Sequence, residues 1–453
     1  MVLIKLKTLI CKSQVPIDSN IKKLLASIRY TALGIAFIID KKSQVLGVAT
    51  DGDIRNVLLK NIKITDNCKL AMNENFVYLN ENYTEEEVIK KFDENIRIIP
   101  ILDSKKRLLK IVDKTSFVPD HNVEIYTKVP ARLSLSGGGT DFTSFFVEED
   151  GLAITLSINL YTHIRLIKRS DQVIKINSVD LNFEKSFKNI NDIKPSGKLK
   201  LVLSAIKKIN PNYGFDLKIK SDFKPSSGLG GSAAVLVGII SSFLKLDNTY
   251  LDNYKIAALA YEIERHDLNI KGGWQDQYSA VFGGFNLIKF SNKSNLVIPI
   301  KIDDYLKQDL EKKLILCDLG IMHNGNKKNY SKVKITSNRK TIQKLKELTE
   351  NTLFSLLKFE TDYIGYAFKE SMKIKKTVNP DSINNKIEKI INRLYRYGAK
   401  GIRILGTGGG GHLLIYLADE DIFKLTKEIV KMNLKIVDFQ IECKGIQNWL
   451  IKN

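Results

Sequence analysis

The stretch Lys224–Ile240, KPSSGLGGSAAVLVGII, constrains this chain more than any other. Glycine and serine crowd its first half, and small or branched apolar residues fill its second. The run AAVLVGIISSFLKL reads as a buried helix, which puts Gly228-Leu229-Gly230-Gly231-Ser232 at its N-terminus. Glycines let several backbone N–H groups converge on one point, and the positive end of the helix dipole favours an anion there. Ser232 adds a hydroxyl that can reach a Mg²⁺ ion, which prefers oxygen ligands. A flexible linker is not followed at once by so apolar a helix, so the segment reads as a phosphate cradle. It is not a Walker A loop, because G-x-x-x-x-G-K-[ST] occurs nowhere in the chain.

With 453 residues, 43% of them hydrophobic, the chain can form two or three domains, each with its own core. No window approaches the length of apolar run that a membrane-spanning helix needs. The N-terminal MVLIKLKTLICKSQVPIDSN is apolar but lacks the ordered regions of a secretory signal, so a folded N-terminus and a cytoplasmic protein are expected. Cys11, Cys68, Cys317 and Cys443 stand far apart, and the five histidines are scattered. Neither a zinc cluster nor a disulfide framework is indicated, and the thiols are expected to be reduced and structural. The net charge is +21. Its lysines are spread over amphipathic runs such as KLKELTENTLFSLLKFE, with no arginine-rich run interleaved with aromatics. That pattern argues against a nucleic-acid surface and favours attraction of small anionic substrates.

Three blocks follow along the chain. In residues 1–118, ALGIAFIIDKKSQVLGVATDGDIRNVLLK and IRIIPILDSKKRLLKIVDKTSF read as two copies of one strand–turn–strand unit. TEEEVIKKFDEN before the second copy is a helix, with Thr84 and Glu87 as a capping box. This duplication resembles a pair of CBS domains. The resemblance implies an α/β regulatory module in which Thr50 and Asp53 hold the ribose of an adenine nucleotide or a nucleotide-sugar. The second copy, Lys110-Ile111-Val112-Asp113, lacks the matching glycine and threonine, so one nucleotide site at most is implied. A ligand-free structural module, or one that makes a homodimer, fits the same residues. KTSFVPDHNVEIY, from Lys114, is the expected boundary. Residues 124–300 and a helix-rich 301–453, ending strand–helix–strand, form the other two blocks.

Two further glycine loops accompany the first. One is VPARLSLSGGGTDF, Val129–Phe142, and the other is GTGGGGH, Gly406–His412. The latter fits G-x-G-x-x-G, but HLLIYL after it reads as a strand rather than a helix, so a dinucleotide site is not indicated. A hairpin loop beside an active site is the better reading.

The three loops, in this order, resemble the motifs of the GHMP family of small-molecule kinases over residues 124–453. SGGGTDF and YEIERHDLNIKGGWQDQYSAVFGGFN make the chain similar, within that family, to the D-glycero-D-manno-heptose 7-phosphate kinases. The resemblance implies an α+β, two-lobed fold, with an N-lobe like the second domain of ribosomal protein S5 and a ferredoxin-like C-lobe. ATP would lie between the lobes. It also departs from the family in places. Many members read Pro-x-Gly-x-Gly-Leu-Gly-Ser-Ser in the second loop, whereas here Ser226 or Ser227 replaces the earlier glycine and Gly231 the first serine. Galactokinases carry Glu-His where this chain has Gly138-Gly139, which argues against galactose.

Site roles follow from the resemblance. Asp276 would take the proton of the attacking hydroxyl, or merely orient that group. Arg132 would lower its pKa or steady the transferring phosphoryl group, and a structural ion pair is the plainer alternative. Asp141 would contact a sugar hydroxyl; on the residues alone it is equally an N-cap for FTSFF. Gly138, Gly139, Gly272, Gly273 and Lys271 would line the sugar. Ser226, Ser227, Gly228, Leu229, Gly230 and Gly231 would hold the phosphates of ATP, and Ser232 and Glu264 the Mg²⁺. Gly408, Gly409 and Gly410 would form the third loop of the site. From Glu264 to Asp276 the count is one residue longer than in some members, which leaves Glu262 open as the ligand. Lys271, Lys400 and Arg403 are all available to a substrate phosphate, and the sequence does not choose among them.

The expected reaction is therefore ATP- and Mg²⁺-dependent phosphorylation of the anomeric hydroxyl of a heptose 7-phosphate, toward a nucleotide-activated heptose for surface polysaccharide. Another sugar-1-kinase, acting on fucose for example, or a non-catalytic nucleotide and sugar sensor are the alternatives. A sensor has no reason to keep Arg132, Asp141, Ser232, Glu264 and Asp276 together.

Overall fold

The duplication in the first block becomes two sheets of the same order. The computed structural model describes residues 10–92, 96–114, 123–321, 339–417 and 422–451. The chain divides into two compact units, Met1–His121 and Asn122–Asn453. Residues 115–122 of the expected boundary segment lie outside the described residues, as do residues 1–9 and 93–95.

In the first unit β1 (Gln14–Pro16) runs parallel to β2 (Ile35–Ile39), which turns back antiparallel into β3 (Val45–Thr50). β4 (Leu79–Asn80), β5 (Ile98–Leu102) and β6 (Leu108–Asp113) repeat that order and those directions. Even the hairpin turns agree. Asp40 Oδ1 accepts from the N–H groups of Lys42 and Gln44, and Asp103 Oδ1 accepts from those of Lys105 and Arg107. An aspartate at this place satisfies turn donors that water would otherwise have to reach. Helices α1 (Ile21–Thr31) and α2 (Asp51–Leu59) cover the first sheet through Ile21, Leu24, Ile28 and Ile54. Helix α3 (Glu85–Lys91) covers the second sheet through Val88, and its Thr84–Glu87 capping box forms. Phe37, Val45 and Val48 meet Leu102 and Leu108 in a shared core, which joins the two copies.

The second unit is built on two long antiparallel strands, β7 (Glu124–Ser136) and β8 (Gly151–Lys168). The far edge of β8 is shared. β11 (Phe215–Ser221) pairs with its C-terminal half, and β12 (Phe285–Phe290) with its N-terminal half. β9 (Ile174–Ser178) and β10 (Phe183–Phe187) extend one side, and β13 (Leu296–Pro299) the other. A second, antiparallel sheet has the order β15 (Ala399–Ile404), β16 (His412–Leu417), β14 (Leu314–Asp318), β17 (Lys435–Val437). The chain does not stay with that sheet to its end. β18 (Gln447–Ile451) returns to pair antiparallel with the free edge of β7, so a segment running 301–453 is not one self-contained lobe.

Helix α4 (Gly231–Leu246) is the apolar run of the opening stretch. It lies across β7 and β8, where Ala234, Val237 and Ile240 pack on Ile125, Val129, Ile164 and Leu166. Burying a branched aliphatic side chain contributes about 1.5–3 kcal/mol, so this packing fixes the helix and with it the loop at its N-terminus. α5 (Asn253–Tyr261) passes into a π turn over Glu262–Asp267, and α6 (Gln275–Phe282) follows after a short loop. α7 (Tyr363–Val378) packs on β15. No helix among the described residues is long and apolar enough to cross a membrane.

Candidate active site

All three glycine loops open on one cavity of about 450 Å³ in the second unit. The second and third loops touch backbone to backbone. A Cβ on Gly228 would lie 2.7 Å from the carbonyl oxygen of Leu405, and one on Gly411 would lie 2.6 Å from that of Ser227. Only glycine permits that approach. His412 locks the two loops together, donating from Nδ1 to the Ser227 carbonyl at 2.8 Å. Burial pulls its pKa below the usual histidine range, against the opposing effect of this bond, which leaves a neutral ring carrying its proton on Nδ1.

The residues expected to cradle phosphate come together in one place. Gly228, Gly230, Gly231 and Ser232 line the cavity at the N-terminus of α4, together with Ser226 and Ser227. Leu229 is different. Its side chain is fully buried in the core between the sheets, and only its backbone, which accepts from Arg132 N–H, belongs to the loop. The third loop lines the cavity through Gly408 and Gly410, while Gly409 turns its N–H to the Ser382 carbonyl.

Two ion-pair systems stand beside this cradle. Arg132, on β7, donates from Nε and Nη2 to Asp276 Oδ1 at 2.9 and 2.8 Å, and from Nη1 to the Gly228 carbonyl. One buried guanidinium thus ties the cradle to Asp276, in the first turn of α6. Ser232 Oγ donates to Glu264 Oε1 at 2.6 Å, and Gln277 Nε2 donates to Glu264 Oε2 at 2.7 Å. Glu264 is only 2% exposed, and burial raises its pKa against the pull of Arg265 and Ser232. Of the two glutamates left open, Glu264 is the one that lines the cavity. Glu262 pairs with Lys208 on the outside and does not line the cavity. The π turn carries one more residue per turn than an α-helix, so it can absorb the longer count before Asp276 and still turn Glu264 inward.

Asp141 is buried, and burial pushes its carboxyl up, with the Asp276 charge adding to the effect. It does not cap the helix Thr143–Phe146, whose N-cap is Phe142 with no side-chain cap bond. Instead its oxygens accept from Gly139 N–H at 2.9 Å and from Gln275 N–H at 3.2 Å. Asp141 therefore binds the first loop to the start of α6. That contact explains Gly273, where a Cβ would fall 1.8 Å from Asp141 Oδ2. Gly138, Gly139 and Gly272 line the same wall, and Lys271 reaches the cavity from an exposed position.

Several cavity residues carried no sequence signal. Gln275 precedes Asp276, and Ser371 and Lys375 come from α7. Lys375 Nζ donates to the carbonyls of Gly406 and Ile404 at 2.6 and 3.1 Å. Burial first, and the charges of Arg403 and Arg132 next, draw its pKa down to about 7. Of the cations left open for a substrate phosphate, Arg403 lines the cavity and Lys400 does not. Thr50 and Asp53 belong to the first unit, where they form a reciprocal capping box at the start of α2.

Comparison with known proteins now decides the family. The model of the GHMP kinases N terminal domain matches residues 200–284, which run from before the phosphate cradle to just past α6. The CBS domain model matches residues 68–118, the second copy of the duplicated unit rather than the copy with Thr50 and Asp53. The chain is 30% identical over 336 residues to the D-glycero-alpha-D-manno-heptose 7-phosphate kinase of Campylobacter jejuni, covering 72% of this chain and 99% of that enzyme. The chain belongs to the GHMP kinase family. It is thus an ATP-dependent phosphotransferase, and it carries a CBS domain in its first unit.

Solved structures place it in the same fold. A D-glycero-D-manno-heptose 1-phosphate kinase from Bacteroides thetaiotaomicron superposes with TM-score 0.63 at 25% identity, covering 73% of this chain and all of that one. A putative sugar kinase from Campylobacter jejuni gives 0.60 at 32% identity, with 72% and 98% covered. At greater distance, the bifunctional fucokinase/GDP-fucose pyrophosphorylase of Arabidopsis thaliana is 24% identical over 349 residues, 72% of this chain and 32% of that protein.

Proposed function

We propose that this GHMP kinase phosphorylates the anomeric hydroxyl of D-glycero-D-manno-heptose 7-phosphate, giving the 1,7-bisphosphate on the way to a nucleotide-activated heptose. The observation that carries the reading is Arg132, which joins Asp276 to the phosphate cradle through direct hydrogen bonds. The choice of heptose is supported by the relatives named above and by Gly138-Gly139, which leave room where galactokinases carry side chains.

The chemistry follows from the placement. ATP phosphates lie at the N-terminus of α4, where backbone N–H groups and the helix dipole favour them. The acceptor hydroxyl lies between Asp276 and Asp141. Its proton passes to the Asp276 carboxylate as its oxygen bonds to the γ-phosphorus. The bond to the β–γ bridging oxygen breaks, and ADP leaves with that electron pair. Arg132 holds Asp276 in place and puts positive charge where the phosphoryl group crosses. Ser232 and Glu264 fit a Mg²⁺ ion, because they present an exposed hydroxyl and a buried carboxylate side by side at the cradle. Two protein oxygens leave most of its shell to phosphate oxygens and water, the usual arrangement for this ion. When bound it neutralises phosphate charge. For the first unit we propose regulation by an adenine nucleotide or nucleotide-sugar, and assembly as a homodimer.

The test is ATP turnover by the purified chain on heptose 7-phosphate, mannose 6-phosphate, fucose and galactose, with Asp276→Ala as control. Turnover restricted to the heptose phosphate and lost in the variant supports the reading. Preference for fucose, or no turnover on any of the four, rejects it.

A further inference from the structure

The cavity is lined by more cations than carboxylates: Arg132, Arg265, Lys271, Lys375 and Arg403 face Asp141, Glu264 and Asp276. Arg132 is paired with Asp276, and Arg265 lies 3.4 Å from Glu264. Arg403 and Lys375 line the same cavity, and among the described residues neither has a carboxylate within salt-bridge distance. Both are held by neutral oxygens instead. Arg403 Nη1 donates to Ser371 Oγ at 2.9 Å, and Lys375 donates to the two carbonyls at the root of the third loop. Ser371 and Lys375 are four residues apart on α7, one turn of one face. Neutral acceptors orient a cation without cancelling its charge. Such charge, taken out of water, is tolerated where an anion arrives to meet it.

The direction of Arg403 says which anion. Its Nη2 lies 3.2 Å from the point where a Cβ on Gly138 would stand, and Ser134 Oγ and Gln275 Nε2 lie 3.4 Å from that point. It faces the first loop, beside Asp141 and the start of α6. That is the acceptor side of the cavity, not the helix N-terminus that suits the phosphates of ATP.

We propose that Arg403 and Lys375 form an anion subsite that receives a phosphate group already carried by the acceptor. The proposal rests on the sugar-kinase reading above and names the feature that selects a sugar phosphate over a plain sugar. Burial draws Lys375 down to about 7, so an arriving phosphate favours its charged form, while Arg403, lowered to about 10, meets the phosphate already charged. The exposed Lys271 can contribute at most a screened contact, and Lys400 lies outside the cavity.

The experiment measures, by calorimetry on the full chain, the affinity for D-glycero-D-manno-heptose 7-phosphate and for the same heptose without its phosphate. Mannose 6-phosphate against mannose is the second probe pair. Wild type is expected to prefer the phosphorylated sugar. Arg403→Met and Lys375→Met should each cut that preference about 10–100-fold, the scale of one charge-assisted hydrogen bond, and Arg403→Lys should restore part of it. KM for ATP, which also reports that the variants are folded, should stay within about threefold of wild type. A preference that survives in both variants overturns the proposal. So does a rise in KM for ATP with sugar affinity untouched, which would give the two cations to the nucleotide. The outcomes separate from those of the reaction itself. Loss of phosphate preference in the variants, with no turnover on heptose 7-phosphate, keeps the subsite and rejects the proposed substrate. A wild type indifferent to the sugar's phosphate rejects the subsite whatever its turnover.

Discussion

The two units each contain a hydroxyl donating to a carboxylate at 2.6 Å, Thr50 to Asp53 and Ser232 to Glu264. The first pair is three residues apart at the start of α2. Thr50 Oγ1 also accepts from Asp53 N–H, and Asp53 Oδ2 accepts from Thr50 N–H, so the pair satisfies donors that the helix itself leaves open. The second pair is brought together from 32 residues apart. α4 takes no side-chain cap from it, since its N-cap is Gly230 in the left-handed region. Glu264 is buried at a cost in solvation, and Gln277 holds its other oxygen. No element of secondary structure needs that arrangement. A polar pair that answers a local backbone need is explained by folding, and one that does not is left for a ligand to explain.

The sharpest way to break this contrast is at Asp276. Asp276→Asn keeps the shape and removes the proton acceptor, and kcat should fall by about 10²–10⁴-fold. Asp276→Ala should also destabilise the chain by up to about 3–5 kcal/mol, because Arg132 is left buried without its partner. A loss below tenfold in the asparagine variant would make the pair structural, like the cap on α2.

Next in size is Glu264→Gln, which keeps the bond count and removes the charge. The Mg²⁺ concentration needed for half-maximal turnover should rise about 10–100-fold, read as a titration of initial rate. Asp53→Asn is the matched control and should leave that titration where it is. If both shift it, or neither does, the distinction drawn between the two pairs is wrong.

How much of this was legible depends on how local each signal is. The glycine loop at the head of α4, the duplicated hairpins and the Thr84 capping box were readable because each is written within one short run of sequence. Glu264 over Glu262 was not, because a π turn decides which of two glutamates on one run faces inward. Asp141 reads as a helix cap from its neighbours and acts as a brace from its distant partner, Gln275. Leu229 sits inside a loop motif, yet its side chain belongs to the core. Lys375 was invisible in KIKKTV, one of three lysines in six residues, since only the third loop folding over α7 singles it out. The return of β18 to β7 carried no local mark, because pairing across the whole unit is a property of topology rather than of either strand.

The third prediction uses pH. Burial beside Arg403 and Arg132 lowers Lys375 to about 7, whereas an unfolded lysine titrates near 10.4. Between those values the unfolded chain holds more protons at this site than the folded one, so this group's contribution to stability rises with pH. Below about 7 it is charged in both states and its cost is complete. Lys375→Met should therefore gain more stability over wild type at pH 6.5 than at pH 9, by urea unfolding of the ligand-free chain. A gap that does not change with pH would mean the amine is solvated and charged throughout.

The smallest expected effect is at Thr50, and it tests the other side of the comparison. Thr50→Val removes the hydroxyl and keeps the branched shape. Loss of such a cap typically costs about 1 kcal/mol, and hydrogen exchange at the first amides of α2 should report that loss locally, with turnover of the kinase unit unmoved. Thr50→Ser, which keeps the hydroxyl, should recover it. A nucleotide bound at this turn has to share a hydroxyl that already donates to Asp53 and accepts from its N–H. Its ribose can then gain only what the cap leaves over, and the affinity change on Thr50→Val should be no larger than the stability change. An affinity loss well above that bound would show that the turn is held for the ligand rather than for the helix, and Thr50 would then stand with Ser232.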